Sequence, residues 1–157
     1  MALKRRLARA ALFPALVALA AVSACGDGID PPTTPIVFVG PDTLQITDLR
    51  AGTGDTIAAG QVALVHYGLW LYDPRGLDSK GNLIEDSRVS GPVAGVNISL
   101  RPETVIAGWV QGVPGMKVGG SRRLIIPPSL AFGDTGSGPI PPRAWVVFDI
   151  DLLGIGQ

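Results

Sequence analysis

The chain of 157 residues has one cysteine and one histidine. Cys25 has no second cysteine to join, so a disulfide framework is excluded. His66 stands alone in an apolar stretch, so zinc sites of the usual ligand sets are excluded as well. A lone histidine in such a place reads as a structural or surface residue. No G-x-S-x-G elbow and no glycine-rich phosphate loop occur, so hydrolase and nucleotide-binding chemistry lack their usual marks. There is no internal repeat and no long helical period. Thirteen basic residues balance 13 acidic ones, but Lys4, Arg5, Arg6 and Arg9 sit at the extreme N-terminus. The remainder carries nine basic against 13 acidic residues, a net charge of −4 without a basic cluster, which argues against nucleic-acid binding.

Those four basic residues open a separate segment. They precede an uncharged run from Ala10 to Ala24, interrupted by Pro14. A run of about 15 residues is short of the roughly 20 that span a bilayer. It suits a secretory signal. Val22-Ser23-Ala24-Cys25 resembles a bacterial lipoprotein processing box, with small residues before the cysteine that receives the lipid. The expectation is a signal peptide over 1–24 and a lipid-modified Cys25. The alternative is an ordinary signal peptide with an incidental cysteine. Residues 25–42 are rich in Gly, Pro, Asp and Thr and read as the lipidated N-terminus and a tether, with Ile36 to Val39 able to pack locally or add an edge strand. No aspartate follows Cys25 directly, which by resemblance to Gram-negative sorting favours the outer membrane, facing the periplasm.

A domain is expected over 43–157, of a size one core can support. Leu44 to Thr47 begins a strand, and Ala51 to Asp55 reads as a turn. Gln61 to Leu71 alternates as a long strand, with Val62, Leu64 and His66 on one face and Ala63, Val65 and Tyr67 on the other. A polar loop follows from Asp73 to Gly81, then a weaker strand near Val93–Leu100. The last strand places Val146, Phe148, Ile150 and Leu152 on one face and Trp145, Val147, Asp149 and Asp151 on the other, as in an antiparallel sheet wet on one side. Between these lies Val105 to Gly133, where closely spaced glycines and prolines leave room for about one and a half turns of helix near Gly108–Val113. Leu124 to Ile126 forms a short strand that Pro127 and Pro128 end, because proline cannot donate to a ladder. Short strands with one brief helix make an α+β antiparallel domain. Apolar side chains held by rigid turns suit a shallow hydrophobic pocket.

Val105-Ile106-x-Gly-Trp109, then Gly-Met-Lys-Val-Gly-Gly-x-Arg-Arg-Leu over 115–124, then Ile126-Pro127-Pro128, resembles the core signature of FKBP-type peptidyl-prolyl isomerases. The likeness continues through Ala131-Phe132-Gly133, Ile140-Pro141-Pro142 and Val147-Phe148-Asp149, and covers about residues 43–154. It implies a twisted antiparallel sheet wrapped around one short α-helix, with a pocket between them and Trp109 as its floor. It implies an apolar seat for a proline ring built from Tyr67, Val105, Ile106, Trp109, Phe132, Ile140 and Phe148, with the Ile106 N–H holding a ligand carbonyl. No metal or cofactor is expected. The expected partners are proline-containing polypeptides and macrolide ligands, with the membrane reached only through the lipid; a monomer is expected.

Prolyl isomerisation suits a chain so poor in acid–base groups. The barrier of roughly 18–20 kcal/mol comes from amide resonance, and no bond is made or broken. A dry pocket weakens the preference for the planar, charge-separated amide, and a site shaped to the twisted amide binds it better than either planar isomer.

The sequence departs from the family pattern in several places. Where members have F-D-[ST]-S, this chain has Ile84-Glu85-Asp86-Ser87, or with a shorter preceding loop Leu77-Asp78-Ser79. The aromatic before the Val-Ile pair becomes Val96, the H-Y-T-G run becomes His66-Tyr67-Gly68-Leu69, and the tyrosine of A-Y-G becomes Phe132. Tyr67, Glu85, Ile106, Trp109 and Phe132 are the expected catalytic set, and Ile84, Val96, Val105, Ile140 and Phe148 the expected substrate contacts. Two readings follow: an isomerase assisting protein folding in the cell envelope, or a degenerate module that binds proline-containing or apolar segments without useful turnover.

Overall fold

A computed structural model describes residues 36–156; the expected signal peptide, Cys25 and the first part of the expected tether lie outside them. In chain order the elements are β1 (Gln45–Arg50), β2 (Val62–Tyr72), β3 (Lys80–Asp86), α1 (Ser87–Ser90), β4 (Val96–Ser99), α2 (Ala107–Gly112), β5 (Ser121–Ile126) and β6 (Val146–Gly156). The strands form one antiparallel sheet in the order β1-β5-β6-β2-β3, and β4 also pairs with β2. This is the expected α+β arrangement, with the four-residue helix α1 beside the expected one.

The long strands β2 and β6 pair from Val62 opposite Gly156 to Leu71 opposite Val146. Val146, Phe148, Ile150 and Leu152 are buried on the inner face, as their alternation requires. Asp149 and Asp151 lie on the outer face, where cations meet them. Arg123 Nε donates to Asp149 Oδ1 at 2.6 Å and Lys80 Nζ donates to Oδ2, while Arg88 and Ser121 donate to Asp151. Burial pushes the Asp149 carboxyl up, but the hydrogen bonds from Arg123 and Lys80 outweigh it and hold the group below its ordinary value.

The second edge of β2 is shared by two short strands. β4 pairs with Val62 to Val65, and β3 pairs with Gly68 to Tyr72. His66 and Tyr67 lie in the gap between them. The strand β3 begins at the end of the stretch that reads as a polar loop, and the sequence analysis expects no strand over 80–86, because Lys80-Gly81-Asn82 carries no apolar alternation. The open edge of β2 organises it: a row of unpaired N–H and C=O groups is a template for one more strand.

α2 packs close to β5 through two glycines one helical turn apart. A Cβ on Gly108 would lie 2.5 Å from Ile126 Cγ2, and one on Gly112 would lie 2.7 Å from Leu124 Cδ2. A Cβ at either place would force the buried Ile126 or Leu124 side chain, or the helix itself, to shift. That close approach buries Trp109 to 1% exposure between helix and strands.

The described part of the expected tether lies against this domain. Trp145 Nε1 donates to the Pro41 carbonyl at 2.9 Å, and the Arg75 guanidinium sits 4.3 Å above the Phe38 ring. Residues 36–42 form no strand.

Candidate functional site

A cleft of about 490 Å³ opens beside α2, floored by aromatic rings. Trp109 meets Tyr67 edge-on at 5.5 Å between centroids and Phe148 edge-on at 5.3 Å, with Tyr67 and Phe148 6.0 Å apart. Edge-to-face packing directs the positive rim of one ring to the negative face of another, and each pair contributes about 0.5–1.5 kcal/mol beyond burial. The three rings reach one place for simple reasons. Tyr67 and Phe148 share the inner face of neighbouring strands, and α2 brings Trp109 down onto them.

The walls are Leu69, Ile98, Val105, Ile106 and Phe132, and the rim carries Glu85, Pro102, Glu103 and Thr104. Thr104 Oγ1 donates to the Ser99 carbonyl at 2.7 Å, which fixes the turn that delivers Val105 and Ile106 to the cleft. Ile106 stands at the N-cap of α2, and its carbonyl accepts from Trp109 N at 3.0 Å. Its own N–H has no acceptor among the described residues. A donor is therefore free at the wall of an apolar cleft. On the opposite wall the turn after β5 is tied by Gly133 N donating to the Pro128 carbonyl at 2.9 Å, which presents Phe132.

One polar pair spans the cleft wall. The Tyr67 hydroxyl donates to Glu85 Oε1 at 3.0 Å. Burial, that hydrogen bond and the nearby carboxylate charge together push the phenol up to about 12. The phenol is therefore a neutral donor at any physiological pH. The indole N–H of Trp109 is buried with no acceptor among the described residues. Among those residues no three of His, Cys, Asp and Glu are grouped to hold a metal ion.

The structure brings Tyr67, Glu85, Val105, Ile106, Trp109, Phe132 and Phe148 together on this cleft. It places Ile84, Val96 and Ile140 elsewhere. Leu69 pairs with Glu85 and Trp70 with Leu83, so Ile84 is the extra residue of a β-bulge and rests half-buried against the core. The bulge turns Glu85 to the face of Leu69 and Tyr67. Val96 lies opposite Val65 with its Cγ2 beside Gly91 and does not line the cleft. Ile140 is held in a tight bridge with Ser137 and its side chain sinks into the core. Of the acidic residues open in the sequence, Glu85 lines the cleft, Asp86 caps α1 by accepting from Arg88 N, and Asp78 pairs with Arg123 on the outer face. Leu69 and Ile98 escaped the sequence reading, although both sit in alternation with residues it did assign, two positions from Tyr67 and from Val96.

Comparison with known proteins finds the same likeness. Residues 54–153 match the family described as FKBP-type peptidyl-prolyl cis-trans isomerase. The FK506-binding protein of Neisseria meningitidis serogroup A is 37% identical over 114 residues, which cover 72% of this chain and 96% of that protein. The 46 kDa FK506-binding nuclear protein of Spodoptera frugiperda is 39% identical over 71% of this chain, but the match covers 25% of that larger protein. In FK506-binding protein 4 of Dictyostelium discoideum the matched part is 32% of the whole. The crystal structure of FkpA from Escherichia coli superposes with a TM-score of 0.61 at 32% identity, over 73% of this chain and 48% of that one.

Proposed function

The chain belongs to the FKBP-type peptidyl-prolyl cis-trans isomerases, and on that premise we propose that its cleft catalyses rotation about X–Pro bonds of polypeptides. One observation carries the reading: an Ile106 N–H with no acceptor among the described residues stands on the wall of a cleft floored by Tyr67, Trp109 and Phe148. The proline ring sits on Trp109, and the Ile106 N–H takes the carbonyl of the bound peptide. Away from water, the planar amide loses the solvation that favours its charge-separated form. As the C–N bond twists, the nitrogen pyramidalises and double-bond character is lost, and an apolar seat complementary to that shape lowers the barrier. Glu85 holds the Tyr67 hydroxyl and so fixes the ring that walls the seat. Phe132 closes the cleft with a ring that has no hydroxyl to donate. The chemistry needs no proton transfer, which suits a phenol held neutral.

The substrates are proline-containing polypeptides, with macrolides of the FK506 type as competing ligands, acting on a monomer. The setting is the cell envelope, where a catalyst anchored through Cys25 to the outer membrane assists folding on the periplasmic side. The small residues before Cys25 support this. Several acyl chains anchor firmly where one binds only marginally. Mass spectrometry of the mature N-terminus tests it: lipid on Cys25 supports anchoring, and an unmodified Cys25 ends it. A second reading, binding without turnover, rests on Phe132. Catalysed cis/trans exchange in a prolyl peptide separates the two, since a pure binding module retains affinity and accelerates nothing.

A further inference from the structure

The gap on the second edge of β2 leaves a backbone donor to be satisfied. Tyr67 lies beyond the last pair of β4, Val65 with Val96, and before the first pair of β3, Gly68 with Asp86. Its N–H has no strand partner on that side. The Ser87 hydroxyl takes that place: Tyr67 N donates to Ser87 Oγ at 2.8 Å, and Ser87 is 1% exposed. A buried hydroxyl must place its own proton too. His66 Nδ1 lies 3.3 Å from Ser87 Oγ, and His66 Nε2 lies 3.2 Å from the Val93 carbonyl.

With a neutral imidazole, the two ends of this chain of contacts set the directions within it. An amide N–H only donates and a carbonyl only accepts. Ser87 Oγ therefore accepts from Tyr67 N–H and donates its own O–H to His66 Nδ1. The neutral imidazole carries its hydrogen on Nε2 and donates to Val93. In the loop between α1 and β4 the Val93 side chain is 97% exposed, and Val89 near the end of α1 is 87% exposed. His66 reaches from β2 to the Val93 carbonyl in this loop, while Gly95 at its end lies close to Leu64 and Leu153. Ser87 follows Glu85 by two residues, and His66 precedes Tyr67 by one. The relay therefore brackets both members of the Tyr67–Glu85 pair on the cleft wall.

We propose that His66 and Ser87 are positioning residues of the isomerase site, holding Tyr67 and Glu85 in register from the opposite face of the sheet through Tyr67 N–H, Ser87 Oγ, His66 and the Val93 carbonyl. This rests on the isomerase reading of the cleft. Neither residue touches the substrate. They act through the backbone of Tyr67, and the single histidine has a role that its isolation in the sequence conceals.

The test begins with the unaltered protein. Long-range proton–nitrogen correlation NMR should show the His66 hydrogen on Nε2; a hydrogen on Nδ1 would overturn the relay. Ser87→Ala removes the acceptor, so amide hydrogen exchange at Tyr67 should quicken by about tenfold or more while Val65 and Leu69 keep their protection. Catalysed exchange of an Ala-Pro peptide should fall by about threefold to tenfold, the effect of one neutral hydrogen bond. His66→Phe should act in the same direction. His66→Asn, whose side-chain oxygen can stand in for Nδ1, should recover most of the loss. Unchanged Tyr67 exchange and unchanged catalysis in Ser87→Ala would overturn the proposal. So would a loss of protection spread equally over Val65, Tyr67 and Leu69, which marks a purely structural role. If the unaltered domain shows no turnover, the functional reading fails, while the tautomer and Tyr67 exchange still decide the relay.

Discussion

Tyr67 and Glu85 meet across neighbouring strands, hydroxyl to carboxylate at 3.0 Å, because a one-residue bulge at Ile84 turns Glu85 inward. The pair ties the aromatic floor to the polar rim.

Its first consequence is spectroscopic. A phenol pushed up to about 12 contributes stability that is complete below the ordinary phenol value of 10.0 and is lost as pH rises toward 12. Ultraviolet titration, with Tyr67→Phe subtracted, should show the Tyr67 step near pH 12. Glu85→Gln keeps an acceptor and removes the charge. Its step should move down without reaching 10, since burial is the largest cause of the shift and remains. A Tyr67 step at 10 in the unaltered protein would contradict the pair.

Trp109→Leu should destabilise the domain by about 2–4 kcal/mol, as other large-to-small changes at buried sites do. It should also weaken binding of a prolyl peptide or macrolide by about tenfold, since a central aromatic anchor contributes more than about 1 kcal/mol. Thermal melts and binding titrations on the same variant read the two effects. Normal affinity in a folded variant would remove Trp109 from the floor.

Phe132→Tyr should strengthen binding, turnover or both by about threefold to tenfold, because the added hydroxyl offers the peptide a neutral hydrogen bond of about 0.5–1.5 kcal/mol. The ring already lines the cleft, so no new side chain has to enter it. Exchange rates on both proteins decide it. A slower tyrosine variant would show that the wall has no room for the group.

Asp149 contributes to stability on the acid side, alongside Asp48 and Asp73, which Arg122 and Arg75 also hold below the ordinary value. Its carboxyl is held below the ordinary 3.8 by Arg123 and Lys80 against the cost of burial. A depressed value contributes stability that is present above 3.8 and lost as pH falls below it. Asp149→Asn should cost on the order of 2 kcal/mol at pH 7, the scale of hydrogen bonds to a charged group. It should also flatten the fall in stability as pH drops below 3.8, measured by urea melts. An unchanged acid profile would mean that another carboxylate dominates.

The framework was legible where burial imposes a period. β2 and β6 alternate because one face of each is core, and the glycine-spaced stretch around Trp109 reads as a short helix because nothing longer fits. β3 was not legible. Its residues have little strand character, and the free edge of β2 organises them. The site shows the same division. Tyr67, Trp109 and Phe148 stand out as large rings at motif positions. The inward turn of Glu85 depends on a bulge that no period announces, and the burial of Ile140 depends on the bridge with Ser137. Ser87 and His66 could be found only from the gap between β3 and β4, which is a property of strand pairing.

The central claim is catalysis in this cleft, and exchange NMR on a short Ala-Pro peptide measures it without a coupled protease. Uncatalysed exchange takes tens of seconds at 25 °C, so exchange cross-peaks on a faster timescale report the protein directly. The account predicts acceleration proportional to the concentration of folded protein and suppressed by a macrolide of the FK506 type. A folded protein that leaves the exchange rate at its uncatalysed value would contradict it.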